Sequence, residues 1–468
     1  MQARVLSALA LGLLAGSLRA AERPNVLVLV SDDQQHDTIA ALGHPIVKTP
    51  NLDKLVRNGF AFTHAFCMGS TVPAVCAPSR AMFLTGRSLY RVAVQVPKDV
   101  PLWPEVMGQA GYATCGVGKW HNGPAAYARA FQNGGPIFFG GMSDQKRVPV
   151  HDYDPAGKYP KKDEHVGDRF SSELFADGAI RFLKGHKGDK PFFLYVAFTA
   201  PHDPRTPPKQ YLDLYDPEKI PLPKNFLPVH PFNNGEMTVR DEKLLPWPRT
   251  PAEVKKEIAA YYGMISHMDA QIGHILKELE DSGRLKNTLV VFWSDHGLAL
   301  GHHGLLGKQN LYDHSMRAPL VFSGPGVPKG KSDALCYLFD IFPTVAELTG
   351  TKLPEGVEGK SLAGVMAGKE RKVRDSLFCA YRDVQRAVRT ERWKLIRYPQ
   401  INKSQLFDLQ EDPDERKDLA DDPKHAERLK EMMALLEKWQ KDVGDKQPLS
   451  TDKPAPLHIE LPPKDPKK

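Results

Sequence analysis

Four short apolar runs, each passing directly into polar residues, limit this chain more than any other feature. NVLVLV (25–30) runs into Asp32 and Asp33, YATCGV (112–117) into Lys119 and His121, FFLYVAF (192–198) into His202, and LVVFW (289–293) into Asp295 and His296. Runs rich in valine, leucine and phenylalanine with little polar alternation belong to strands covered on both faces, and amphipathic helical stretches between them supply the cover. The pattern predicts an α/β domain built on a mostly parallel sheet flanked by helices. In open sheets of this kind ligands bind beyond the carboxyl ends of the strands, so the polar residues that end the four runs are expected in one crevice.

The other segments fill in around this core. Residues 252–279 carry Ile258, Ile265, Met268, Ile272, Ile275 and Leu279 at helical spacing and predict a long packing helix, in which His267 and Asp269 are read as stabilising rather than as ligands. The stretch 131–168, rich in glycine, charge and aromatics, and the proline-dense stretch 201–251 read as long irregular segments, either binding loops that would set specificity or plain surface insertions. From about residue 377 the pattern changes to short alternating strands and then a charged helix over 425–443, which defines a smaller C-terminal α+β subdomain of antiparallel sheet plus helix. The expected division is therefore a main α/β domain over 23–370, the subdomain over 371–447, and a poorly ordered proline- and lysine-rich tail over 448–468.

Residues 1–20 place Arg4 before an apolar run and end in small residues, the pattern of a signal peptide, so the mature chain is expected to be exported, periplasmic or secreted, with no membrane span. An uncleaved N-terminal anchor is the alternative. Lysine and arginine exceed aspartate and glutamate by only 63 to 56, a mild excess that favours acidic partners, and no nucleic-acid-binding pattern appears. Five cysteines, Cys67, Cys76, Cys115, Cys336 and Cys379, are too few and too scattered for a disulfide framework, and an odd number in an exported chain gives one of them a separate task. Cys115, inside an apolar run, reads as a small core residue.

Cys76 lies where a proline-containing turn gives way to a helical stretch, with Arg80 four residues on. A helix start offers free N–H groups and Arg80 a bidentate donor, so an oxyanion is welcome there. Taken alone, this position allows a thiolate nucleophile, an anion site or an ordinary buried cysteine.

The string Cys76-Ala77-Pro78-Ser79-Arg80 resembles the Cys-x-Pro-Ser-Arg signature of the type I, formylglycine-dependent sulfatases of the alkaline phosphatase superfamily. RPNVLVLVSDD, TPNLDKLVRNG, LTGR, GYATCGVGKWH, SDHG and LLGKQNLYDHSMRAPL extend the resemblance in order from about Arg23 to the C-terminal subdomain. The resemblance implies an alkaline-phosphatase-like fold and sulfate ester hydrolysis. It also implies that a formylglycine-generating maturation enzyme oxidises Cys76, and that calcium (Ca2+) is held by Asp32, Asp33, residue 76, Asp295 and His296. Many members have asparagine where His296 stands. By the same carry-over Arg80 and Lys119 hold the sulfate, His121 is the base that serves the formylglycine, and His202 and Lys308 bind the scissile region and supply the leaving-group proton. Asn122 replaces the usual leucine after GKWH, which bears on local pocket shape. His302 and His303 are read either as an extension of the pocket or as a polar loop, and Arg205, His151 and Asp152 are left without a role. The expected substrate is a sulfated carbohydrate. The rivals are a phosphate or phosphonate ester hydrolase of the same superfamily, and a noncatalytic glycan-binding protein in which Cys76 stays a thiol.

Overall fold

The structure is a computed structural model and describes residues 23–462 apart from Ala93, so the signal-like stretch 1–20 lies outside the described residues. Eight strands of the main sheet run in the order Gly330–Ser332, Phe60–Phe66, Arg317–Ser323, Thr288–Ser294, Asn25–Ser31, Phe192–Ala197, Ala113–Lys119, Asn133–Phe138, and the ninth, Cys336–Tyr337, pairs with Phe60–Phe66. Only Arg317–Ser323 runs against its neighbours. The four apolar runs are four adjacent parallel strands in the middle of this sheet, so all four of their carboxyl ends open on the same edge.

Strand Asn25–Ser31 shows why the sheet needs cover on both sides. Its residues are buried from Val26 onward, and successive side chains go to opposite faces. Val26, Val28 and Val30 join a core with Phe83, Trp103 and Phe342, while Leu27 and Leu29 join a second one with Ala176, Met268 and Ile272. The helix Pro251–Asp281, longer by a residue or two at each end than the apolar spacing predicts, adds Met264, Met268, Ile272, Ile275 and Leu279 to the second core. Thr250 and Glu253 cap its start reciprocally. Asp269 in that helix accepts from the backbone N–H groups of Asn51 and Leu52 at 3.1 and 2.7 Å, satisfying the free donors at the start of Pro50–Asn58. His267 meets Glu173 at 3.0 Å. Both residues serve packing, as the sequence indicates.

The C-terminal unit is a five-stranded sheet in the order Lys403–Asp408, Trp393–Tyr398, Gln385–Arg389, Leu377–Tyr381, Gly69–Ser70, with the helix Ala426–Val443 against it. Its edge strand comes from the main domain, so the two units share a seam. Gly69 sits at φ +104°, and a Cβ there would lie 1.9 Å from the carbonyl oxygen of Ala380. Gly69→Ala is therefore expected to destabilise the fold by about 2 kcal/mol or more through clash and backbone strain. A urea midpoint unchanged from the parent would show that this seam does not contribute to stability.

Two expectations change. Residues 448–462, read as a poorly ordered tail, lie along the C-terminal unit: Arg397 Nε donates to Leu449 O at 2.6 Å, Ala455 N to Gln400 O at 2.8 Å and Asn233 N to Leu457 O at 2.7 Å. Prolines keep this stretch out of a ladder, but its remaining N–H and C=O groups still find single partners. The stretch 131–168, read as irregular, contributes the edge strand Asn133–Phe138 and the short pair Pro149–Val150 and His165–Val166. All five cysteines are free and buried, with Cys115 in a core strand. Among the described residues no helix is long and apolar enough to cross a membrane.

Candidate active site

The helix Cys76–Thr85 is buried along its whole length. Pro78 falls in its first turn, where a missing N–H costs nothing. Positions three and four apart share a helix face, so Cys76, Ser79 and Arg80 point the same way, toward the strand ends. Ser79 Oγ donates to the carbonyl of Asp295 at 2.6 Å and pins the helix to strand Thr288–Ser294. Arg80 Nε donates to Asp295 Oδ2 at 3.1 Å, and its Nη1 donates to the carbonyl of Lys119 at 3.0 Å.

The strand ends deliver the rest. Asp33 and His121, one just past each of two strands, take left-handed φ values of 69° and 59°. Such conformations are costly outside glycine, and here they turn the chain sharply at the crevice. Lys308 Nζ donates to both carboxylate oxygens of Asp33 at 2.9 and 2.8 Å and lies 3.6 Å from Cys76 Sγ. Lys119 is paired with Asp32. Cys76 Sγ is 3.1 Å from His296 Nε2 and 3.8 Å from Asp33 Oδ1, and His202 Nε2 is 3.7 Å from Asp33 Oδ2. His121 lines the same cleft as Cys76, His202 and Lys308. The ten residues singled out in the sequence thus meet in one place.

Three buried carboxylates, on Asp32, Asp33 and Asp295, face three buried cations, Arg80, Lys119 and Lys308. Burial alone would raise the Asp33 carboxyl, but His202, Lys308 and His296 outweigh it and hold it below the usual range. Burial pushes the Cys76 thiol well above its ordinary value, even with Lys119 and Lys308 close by. Burial, followed by the charges of Lys119 and Arg80, lowers His121 to about 2, which leaves the ring neutral.

The donor set can hold a metal cation. Ligand atoms of Asp33, Cys76, Asp295 and His296 all lie within 4.8 Å of one another. Beside them Asp32 Oδ1 is buried with no hydrogen-bond partner, an acceptor that a cation would satisfy.

A cleft of about 310 Å³ leads to Cys76, walled by Pro73, Ala74, Met142, Val239, Arg240 and Asp241. Gly141 lets its loop close on His121, since a Cβ there would lie 2.7 Å from the imidazole. Asp203, Arg240 and Asp241 belong to no quoted motif and, like Gln309 inside LLGKQN, are not singled out in the sequence. The only signal was their position in or beside the proline-dense segment 201–251 and the LLGKQN string. Arg240 pairs with both Asp203 and Asp241. Burial works against ionisation of Asp241, yet Lys308, Gln309 and Arg240 together hold its carboxyl well below the usual range.

Other candidates lie elsewhere. His303 stacks on Tyr312 at 3.9 Å and His302 packs on His314 at 4.9 Å, and neither lines the cleft at Cys76. Arg205 is bound to Glu257 at 2.8 Å, and His151 bridges to Ile137. A larger cleft, about 790 Å³, lies against Thr288 and Ser323 and contains none of the ten. Thr288 begins the strand that Asp295 follows, which puts that cleft at the far end of the sheet.

The mostly parallel sheet carries a buried cluster of carboxylates and cations at its strand ends, and the sulfatase family model matches residues 24–351, so the chain belongs to the sulfatase family. A second model, described as N-sulphoglucosamine sulphohydrolase, C-terminal, matches residues 301–442. A sulfatase of Formosa agariphila is 29% identical over 458 residues, covering 89% of this chain and 87% of the relative. An N-acetylglucosamine-6-O-sulfatase of Bacteroides thetaiotaomicron is 26% identical, covering 91% of this chain and 88% of the relative. A solved structure in complex with its substrate D-glucosamine-2-N,6-O-disulfate superposes with a TM-score of 0.77 at 23% identity, over 91% of this chain and 99% of that one.

Proposed function

We propose that this sulfatase removes sulfate from a sulfated carbohydrate, using formylglycine made from Cys76 by a maturation enzyme, with calcium held by Asp32, Asp33, residue 76, Asp295 and His296. The observation that carries the reading is the state of Cys76. A thiol kept protonated by burial is a poor nucleophile, yet this one stands at the focus of three carboxylates, two lysines and an imidazole. Such surroundings have little use for a neutral thiol. Formylglycine, once hydrated, supplies a hydroxyl nucleophile and a second hydroxyl for release of sulfate, and calcium supplies positive charge against the sulfate oxygens.

The chain's own residues do the remaining work. Arg80, Lys119 and Lys308 bring three fixed positive charges to a dry site, where charge on nonbridging oxygens is opposed most strongly. Their carboxylate partners hold them in place before substrate arrives. His121, which lines the cleft with residue 76, takes the proton of the second hydroxyl once the sulfate anion beside it restores its basicity. His202 binds the scissile region with its Nδ1 fixed at 2.8 Å from the carbonyl of Asp203, and Lys308 beside it gives the departing alkoxide its proton. The sugar assignment draws on the N-acetylglucosamine-6-O-sulfatase relative, and the signal-like residues 1–20 support export of the mature chain.

Peptide mass spectrometry on protein from a maturation-competent host is expected to find the mass loss of formylglycine at residue 76. Sulfate esters should then be turned over faster than matched phosphate esters. A free thiol at residue 76 in that host would leave the glycan-binding rival standing; faster phosphate turnover would favour the phosphatase one.

A further inference from the structure

The rim of the cleft bears on the substrate. Resting on the sulfatase reading, we infer that the sugar bearing the scissile sulfate is otherwise uncharged at this site, recognised through hydroxyl contacts to Arg240 and Asp241 and an apolar wall, and that a neighbouring sulfate or carboxylate is rejected.

Arg240 is the cation at the mouth. Its side chain is 44% exposed, while the carboxylates of Asp203 and Asp241 on either side of it are 6% and 9% exposed. Nη1 donates to Asp203 Oδ1 at 2.9 Å and to Asp241 Oδ1 at 2.6 Å, and Nη2 also pairs with Asp203. Lys308 lies 4.0 Å from Asp241 but is also held by Asp33, so three carboxylates share two cations on this side of the cleft and leave it with an excess negative charge. The exposed N–H groups of Arg240 can still donate to a neutral oxygen, because five donors are not exhausted by these contacts. Asp241 accepts one further bond, from Gln309 Nε2 at 2.8 Å, and an ionised carboxylate has room for a sugar hydroxyl beyond these.

Nearby cations are already committed. Lys308 is held by Asp33, and Arg382 is paired with Glu236 from the segment that carries Arg240. A second anion on the substrate would therefore meet Asp241 with no uncommitted cation among the residues lining the cleft. Like charges brought together at an interface are strongly disfavoured. The rest of the rim asks for no charge at all. Pro73 and Ala74 are exposed, Val239 is half-buried and Met142 is 50% exposed, a surface suited to the C–H face of a pyranose ring.

The test uses full-length enzyme with residue 76 matured and three kinds of ester: an aryl sulfate, neutral sugars with one sulfate, and the same sugars with an added sulfate or a carboxylate. The neutral member of each pair is expected to show kcat/KM about tenfold or more above its charged counterpart. Asp241→Asn should narrow that gap. Arg240→Ala should raise KM for the neutral sugar about tenfold with a smaller change in kcat, and Arg240→Lys should recover part of the loss. Charged sugars handled as well as neutral ones by the parent enzyme would overturn the inference even if Asp241→Asn fails to fold, and so would aryl sulfate turnover with no neutral sugar accepted. No turnover of any sulfate ester would instead sink the sulfatase reading on which it rests.

Discussion

Cys76→Ala protein is expected to hydrolyse sulfate esters about 10,000-fold more slowly than matured parent enzyme, while unfolding at nearly the same temperature. The two expectations have separate causes. Residue 76 begins a helix and is 3% exposed, and alanine suits a helix better than cysteine does. The sulfur contacts His296, Lys308 and Asp33 at 3.1 to 3.8 Å, none of which holds the backbone. Deleting it leaves a void of one atom, worth about 1 kcal/mol. Catalysis has no such latitude, because the cleft opens on Cys76, while the Tyr195 hydroxyl, 3.5 Å from Arg80 Nη1, is not among the residues that line it. Steady-state kinetics beside a thermal melt decides the matter. Activity within tenfold of the parent, with the fold intact, would remove residue 76 from the chemistry.

Much of this site is legible in the sequence because sheet geometry does the gathering. Four apolar runs long enough to be buried on both faces had to become neighbouring strands, and the residues just past their ends had to share an edge. CAPSR needed only the helical period to bring Cys76 and Arg80 to that edge. The sequence was silent where backbone pairing does not follow side-chain pattern. Asn133-Gly134-Gly135-Pro136 has poor strand propensity, yet the segment pairs with Ala113–Lys119 as an edge strand. Gly69–Ser70 closes the C-terminal sheet from more than 300 positions away in the chain, and no local periodicity records such a partner. Arg240, Asp203 and Asp241 were hidden for the same reason: their meeting depends on the path of an irregular segment. Polar residues in such segments carry no period from which a direction could be read.

Arg80 carries the largest expected stability effect. Its side chain and those of Asp32 and Asp295 are all 0% exposed, with Nη2 3.1 Å from Asp295 Oδ2 and 3.7 Å from Asp32 Oδ1. Burial alone would weaken the charge on the guanidinium, but Asp295, Tyr195 and Asp32 more than restore it. Arg80→Ala strands Asp295 as an uncompensated anion and frees the carbonyl of Lys119, so a loss of about 3–5 kcal/mol follows. The urea midpoint should fall at unchanged slope, since the surface exposed on unfolding is the same. Arg80→Lys keeps the charge but not the planar fork that spans Asp295 and the carbonyl of Lys119, and should fall between parent and alanine variant. Calcium then separates two accounts of Asp32 and Asp295. If they are ligands, the stranded carboxylates hold the ion, and added calcium should raise the midpoint of Arg80→Ala, following the gain expected of any ligand that binds only the folded state. If they serve only as counterions to Arg80, magnesium and calcium at equal ionic strength should act alike, and neither should restore more than charge screening allows.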